Sequence, residues 1–291
     1  MSLFHGVFPA LITPFSENGS INERTLRMTV DRCLKKGVDG FYVCGSTGEV
    51  FLLSADERKS ALEIVVNEVK KRVPVICHIG CIATEHAAAL GRHARAAGAD
   101  AVSSLPPFYY AFTPRQIVQY YKDVAAASGL PMIIYNYPEG SKVRLGMSDF
   151  EKLFAMPEIA GVKHTSYDLY NMEQLKSLRE DITVFNGHDE VFLAGFSMGA
   201  DGAIGSTFNI IPEIYVGIKE HFLAGRAEEA LALQKKATII IATLLEVSLL
   251  PGLKYILSLM GIDAGVCRRP FLPLEAEAKK KLEKLYTEYI A

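Results

Sequence analysis

Eight short β-prone apolar runs, longer intervening segments with apolar residues at helical spacing, and a length of 291 residues predict an α/β fold, a (β/α)8 TIM barrel with a C-terminal helical extension. Strands buried on both faces and separated by helices form a parallel sheet. Eight such units in this length fit a closed barrel better than an open doubly wound sheet. The G-x-G-x-x-G fingerprint that a dinucleotide fold carries after its first strand is missing. With no linker rich in Pro, Ser or Gly, the barrel is expected over residues 1–225 and the extension over residues 226–291.

The runs start at Gly6 (GVFPALITPF), Gly40 (GFYVCG), Val73 (VPVICHIG), Ala101 (AVSSLP), Pro131 (PMIIYNYP), Ile159 (IAGVKHT), Ile182 (ITVFNGH) and Gly202 (GAIGST). Between them Asn22, Ser54, Thr84 and Ser148 stand where helix N-caps belong, since a short side-chain oxygen there accepts from the free N–H groups of the first turn. Gly37 and Gly98 mark helix ends, where a left-handed residue closes the last turn. After the eighth run, near residue 207, the chain reads as helices: IPEIYVGIKEHFLAG, RAEEALALQKKATIIIATLLEV, GLKYILSLMG and EAEAKKKLEKLYTEYIA. One closes the barrel and the others pack on its side.

Bulk properties narrow the function. A formal charge of −2 and a pI near 6.4 give no basic surplus for nucleic acid. Lys279, Lys280 and Lys281 fall in a helical segment and read as a solvated face. No apolar stretch reaches the roughly 18 residues of a membrane span, and MSLFHGVFPALITPF lacks the basic start of a signal peptide, so a cytoplasmic protein is expected. Five scattered cysteines read as reduced thiols. CHIGC has the wrong order for haem attachment, and no second Cys or His pair completes a zinc set, so no metal is expected.

In such a barrel the chemistry sits at the carboxyl ends of the strands. Those positions hold CGSTGE, PPFYY, YNYP, Lys163-His164-Thr165, NGHDE and GSTFN. A strand-end lysine usually just reaches water. Across from a tyrosine, Lys163 instead stands where an amine and a general acid/base meet a carbonyl, and its iminium would act as an electron sink without an organic cofactor. Two glycines around Ser46 and Thr47 form either an ordinary turn or an anion-binding nest. His164, next to the lysine, points to the opposite side of the strand. Asp189 and Glu190 beside His188 read equally as a helix start or as acceptors for polyol hydroxyls.

From PALITPF to CRRPF the chain resembles the pyruvate-dependent aldolases typified by dihydrodipicolinate synthase and N-acetylneuraminate lyase. The lysine, the YN-x-P tyrosine and the GSTGE loop carry that resemblance. The serine-first GSTGE, PFYY, D-LY after the lysine, NG-DE and ADGAIGSTFN are similar to the lyase branch. The resemblance implies Lys163 as Schiff-base lysine, Tyr135 as proton shuttle, and Ser46 and Thr47 as holders of the pyruvate carboxylate. It also implies a sugar pocket of Thr165, Gly187, Asp189, Glu190 and Ser206, and a homotetramer in which Tyr109 or Tyr110 reaches a neighbouring subunit. The implied reaction is reversible cleavage of N-acetylneuraminate to pyruvate and N-acetylmannosamine, without cofactor, nucleic acid or membrane. The second reading is another pyruvate-dependent 2-keto acid aldolase or dehydratase, dihydrodipicolinate synthesis included. The synthase branch places an arginine where Gly140 stands, with Lys142 and Arg144 as nearby substitutes. The lyase branch has an apolar residue near Gly140 and a glycine where this chain has Tyr167, which narrows or reshapes the sugar subsite.

Overall fold

The computed structural model describes residues 3–291. All eight runs are strands: β1 (Gly6–Pro9), β2 (Phe41–Val43), β3 (Val75–His78), β4 (Ala101–Ser104), β5 (Met132–Asn136), β6 (Ile159–His164), β7 (Thr183–Asn186) and β8 (Gly202–Gly205). The helices are α1 (Glu23–Lys35), α2 (Ala55–Val69), α3 (Thr84–Ala97), α4 (Pro114–Ser128), the single turn α5 (Pro138–Ser141), α6 (Met147–Phe154), α7 (Leu169–Ser177), α8 (Phe192–Ser197) and α9 (Pro212–Leu223). Beyond them come α10 (Ala227–Val247), α11 (Leu249–Leu259) and α12 (Ala276–Tyr289).

Every strand pair is parallel, in the order β1-β8-β7-β6-β5-β4-β3-β2. The first run stops being a strand at Pro9 because the chain changes partners there. The Ala10 N–H donates to the Gly205 carbonyl and the Leu11 N–H to the Tyr42 carbonyl, both at 2.9 Å. A parallel bridge from Ala10 to Tyr42 thus brings β1 to β2 and nearly closes the ring.

Period-two alternation sorts the strand residues into two layers. Phe8, Tyr42, Ile76, Ile133, Tyr135, Phe185 and Ile204 fill the interior, where a fully buried side chain of this size contributes about 1.5–3 kcal/mol. Val43, Ile134, Val162 and Val184 face the helices. The barrel is therefore a packed core with a polar mouth.

Asn22 and Ser54 are caps: Asn22 Oδ1 accepts from Thr25 N–H at 3.1 Å, and Ser54 Oγ from Glu57 N–H at 3.2 Å. Two expected caps shift. Thr84 is the first residue of α3, with Ala83 before it. Ser148 lies inside α6, whose cap position is Gly146, with its N–H on Asp149 at 3.1 Å. Thr113, paired with Gln116, and Asp168 cap α4 and α7.

The α10 helix packs on α9 and on the turn at Asp189–Val191, and α12 lies across α10 and α11. Lys279, Lys280 and Lys281 are exposed on α12, while Leu282 and Leu285 are buried beneath. No single helix among the described residues is long and apolar enough to cross a membrane; α10 and α11 reach that composition only as a pair bent by 117°. All five cysteines are free thiols.

Candidate active site

Alternation along β6 turns Val162 and His164 outward and Lys163 inward. The Lys163 ammonium lies 4.2 Å from the Tyr135 ring centre and 4.8 Å from that of Tyr42, and the residue is 5 % exposed. Among the described residues it makes no ion pair, so its polar head has only the open mouth to face. Tyr135 is its register partner on β5.

His164 is buried on the outer face, as its position in the strand requires. Asn136 Nδ2 donates to its Nδ1 at 3.1 Å and its Nε2 donates to the Asp168 carbonyl at 3.1 Å, tying β6 to the start of α7. Burial holds its pKa below the usual value, which makes it a neutral structural group.

A second histidine, His78, sits under the mouth with its ring centre 6.0 Å from that of Tyr135. Its Nδ1 donates to the Cys44 carbonyl at 3.1 Å and its Nε2 accepts the Leu105 N–H at 3.2 Å. Burial, then the charges of Arg58 and Lys163, push its pKa well below the ordinary range. Both ring nitrogens are occupied, so His78 fixes the loop after β2 and the end of β4 and takes no part as a base. In the sequence His78 is only part of the third β-prone run and of CHIGC, and nothing local marks its two backbone partners.

The GSTGE loop is a 3-10 turn over Ser46–Gly48. Ser46 is exposed at the mouth, and Thr47 Oγ1 shares a 2.6 Å hydrogen bond with Ser206 Oγ, joining the loops after β2 and β8. Cys44 and Glu49, at either end of the turn, have φ of +58° and +59°. Left-handed backbone in non-glycine residues costs about 1–3 kcal/mol each and persists only where the surroundings over-determine it. They do here. Glu49 is fully buried and meets Lys254 of α11 at 2.7 Å, while its other oxygen accepts the Arg268 N–H at 2.7 Å. The C-terminal extension thus holds the loop that faces Lys163.

Removing one partner of a buried ion pair strands the other, which costs about 3–5 kcal/mol. We expect Lys254→Met to lose about that much stability in urea unfolding, and Glu49→Gln with Lys254→Met to recover most of it. A single variant as stable as the parent would show that the pair does not hold the loop.

On the other side of the mouth, Asp189 Oδ2 accepts from Thr207 N–H at 2.8 Å and from Thr207 Oγ1 at 2.6 Å. Burial raises its pKa to about 6. Gln234 of α10 donates to the Asp189 and Glu190 carbonyls, each at 3.2 Å, so the extension also braces this turn. Glu190 Oε1 accepts from the Tyr167 hydroxyl and lies 3.6 Å from His188 Nδ1. Tyr167 stacks on His188, ring centres 4.3 Å apart and nearly parallel. The bond to Glu190, followed by burial, pushes the Tyr167 phenol up to about 12, and burial pulls His188 below its usual value.

Thr165 Oγ1 and His188 Nε2 are buried with no partner in the protein, an arrangement that calls for a bound polar group. Gly187 permits it, since a Cβ there would run into Thr165 Oγ1. Gly140 has a similar reason: a Cβ would collide with the ring of Tyr137, which stacks on Tyr135 with centres 5.9 Å apart. Lys142 and Arg144, the nearby cations, are both exposed.

Lys163, Tyr135, Ser46, Thr47, Thr165, Gly187, Asp189, Glu190 and Ser206 all stand at the carboxyl end of the barrel. Tyr109 and Tyr110 do not close over it. They are 85 % and 62 % exposed, packed edge to face at 5.1 Å, with Tyr109 at φ +80°.

A (β/α)8 barrel whose mouth sets a buried amine against a buried phenol defines the class of barrel lyases. Within that class the chain belongs to the dihydrodipicolinate synthetase family, whose model matches residues 3–289. It is 41 % identical over 270 residues to an N-acetylneuraminate lyase of Rhizobium meliloti, covering 93 % of this chain and 90 % of that one. The crystal structure of N-acetylneuraminate lyase from Fusobacterium nucleatum superposes with a TM-score of 0.95 at 36 % identity, covering both chains completely. That of CdNal from Clostridium difficile in complex with mannosamine gives 0.95 at 34 % identity, covering 98 % of this chain and 99 % of that one.

Proposed function

We propose that this chain is a class I aldolase that reversibly cleaves N-acetylneuraminate to pyruvate and N-acetylmannosamine. The observation that carries the reading is the Lys163–Tyr135 pair on adjacent strands, in a chain whose relatives bear that activity. Neutral Lys163 adds to the C2 ketone of the open-chain acid, and loss of water leaves an iminium. Tyr135 relays the proton of the C4 hydroxyl as the C3–C4 bond breaks, its own O–H proton passing on to water at the mouth as the new one arrives. The bonding pair flows into the iminium, releasing the sugar aldehyde and leaving a pyruvyl enamine. Protonation at C3 and addition of water then return pyruvate and the free amine.

Ser46 and Thr47, with N–H groups of their turn, hold the pyruvate carboxylate. Thr165, Gly187, Asp189, Glu190 and Ser206 line the sugar side. On this reading the described residues up to 225 make up the catalytic barrel and residues 226–291 its helical extension, residues 1 and 2 of the expected 1–225 lying outside the described residues. The exposed Tyr109 and Tyr110 support a homotetramer in which they reach a neighbouring mouth. Five free cysteines fit a cytoplasmic setting.

A dicarboxylate product of the synthase kind needs a second anion clamp. Here Gly140 lies under the Tyr137 ring, and no guanidinium takes its place.

The test is release of pyruvate from N-acetylneuraminate, followed with a coupled dehydrogenase. Steady release is expected; none at high protein concentration would overturn the sialate reading.

A further inference from the structure

A carboxylate with both oxygens free can accept two adjacent hydroxyls of a sugar tail at once. Glu190 has one oxygen spoken for. Its Oε1 receives the Tyr167 hydroxyl and faces His188 Nδ1 at 3.6 Å, and Tyr167 is itself held by its parallel stack on His188. The phenol keeps its proton at any working pH, since the bond to Glu190 and burial raise its pKa to about 12. Glu190 is partly buried and Tyr167 exposed, so the contact lies at the rim of the mouth, where the stack on His188 rather than exclusion of water holds the phenol in place.

Resting on the lyase reading, we propose that Tyr167 is a specificity-determining residue: by capping Glu190 Oε1 it leaves one acceptor for the substrate tail and makes the enzyme indifferent to the terminal hydroxyls. Recognition then shifts inward, to Thr165 Oγ1 and His188 Nε2, two buried polar atoms of the loops after β6 and β7 that have no hydrogen-bond partner in the protein. These suit the hydroxyl or amide groups of the sugar nearer the reacting carbon. The preferred ligand class is a 2-keto sugar acid with a polar middle and a tail that is free to vary.

The experiment compares kcat/KM for N-acetylneuraminate with that for its seven-carbon analogue, which lacks the last two tail carbons, in the parent and in Tyr167→Phe and Tyr167→Gly. The parent is expected to treat the two alike within about threefold. Tyr167→Phe keeps the stack and frees Oε1, so it should raise the long-to-short ratio about tenfold, the scale of one hydrogen bond to a charged group. The gain should appear in KM for the long substrate. Tyr167→Gly should shift the ratio in the same direction; a general loss of packing would move both substrates together. An unchanged or falling ratio, with pyruvate still released from both, overturns the role of Tyr167 and leaves the lyase reading standing. Release from neither substrate overturns both.

Discussion

Lys163→Ala should release no measurable pyruvate, a fall of roughly 10⁴-fold or more, the scale on which loss of a covalent nucleophile is felt. The barrel should be intact. Alanine at this site leaves a gap between the Tyr135 and Tyr42 rings but strands no charge, because among the described residues Lys163 has no ion-pair partner. Borohydride added with pyruvate should form a stable adduct on the parent and none on the variant. Lys163→Arg is the sharper control: it keeps a cation over the two rings, yet a guanidinium does not form imines at neutral pH. Turnover by either variant, or an adduct on the alanine protein, would move the nucleophile to another residue.

How far the sequence reaches depends on the range of the interactions involved. The eight strands and the helices named from the sequence follow local periods, and β6 illustrates this: one alternation sends Val162 and His164 to the helices and Lys163 to the mouth. Short-range caps are less secure. Gly146 rather than Ser148 opens α6, because Asp149 serves the cap N–H from within the helix, which hides the signal.

Long-range partners are hidden altogether. Glu49 is part of a legible motif, but Arg268, whose N–H it holds, lies 219 residues away, and Lys254 sits in what reads as an ordinary amphipathic helix. Gln234 is similar. Thus the extension that sequence places beside the barrel in fact braces two loops of its mouth. Gly140 and Tyr167 do stand out in the sequence as departures from pattern. Their meaning is spatial: one makes room for Tyr137, the other engages Glu190.

The second large effect is expected for Tyr135→Phe. Phenylalanine keeps the ring under the Lys163 ammonium, at 4.2 Å in the parent, and keeps the packing against Tyr42 and Tyr137. The substitution therefore isolates the hydroxyl. Pyruvate should still be trapped on Lys163 by borohydride, while cleavage falls about 10²- to 10⁴-fold, the usual contribution of a placed general acid/base. Tyr42→Phe provides the comparison, since Tyr42 spends its hydroxyl on Ser103 Oγ at 3.0 Å, below the mouth, and should change cleavage far less. The nearby alternatives for the proton are poor. His78 has both nitrogens occupied, and His164 faces the helices with both of its own engaged. If Tyr135→Phe cleaves at the parental rate, the proton leaves by a route outside these groups; if it loses both cleavage and trapping, the phenol acts earlier, in forming the imine itself.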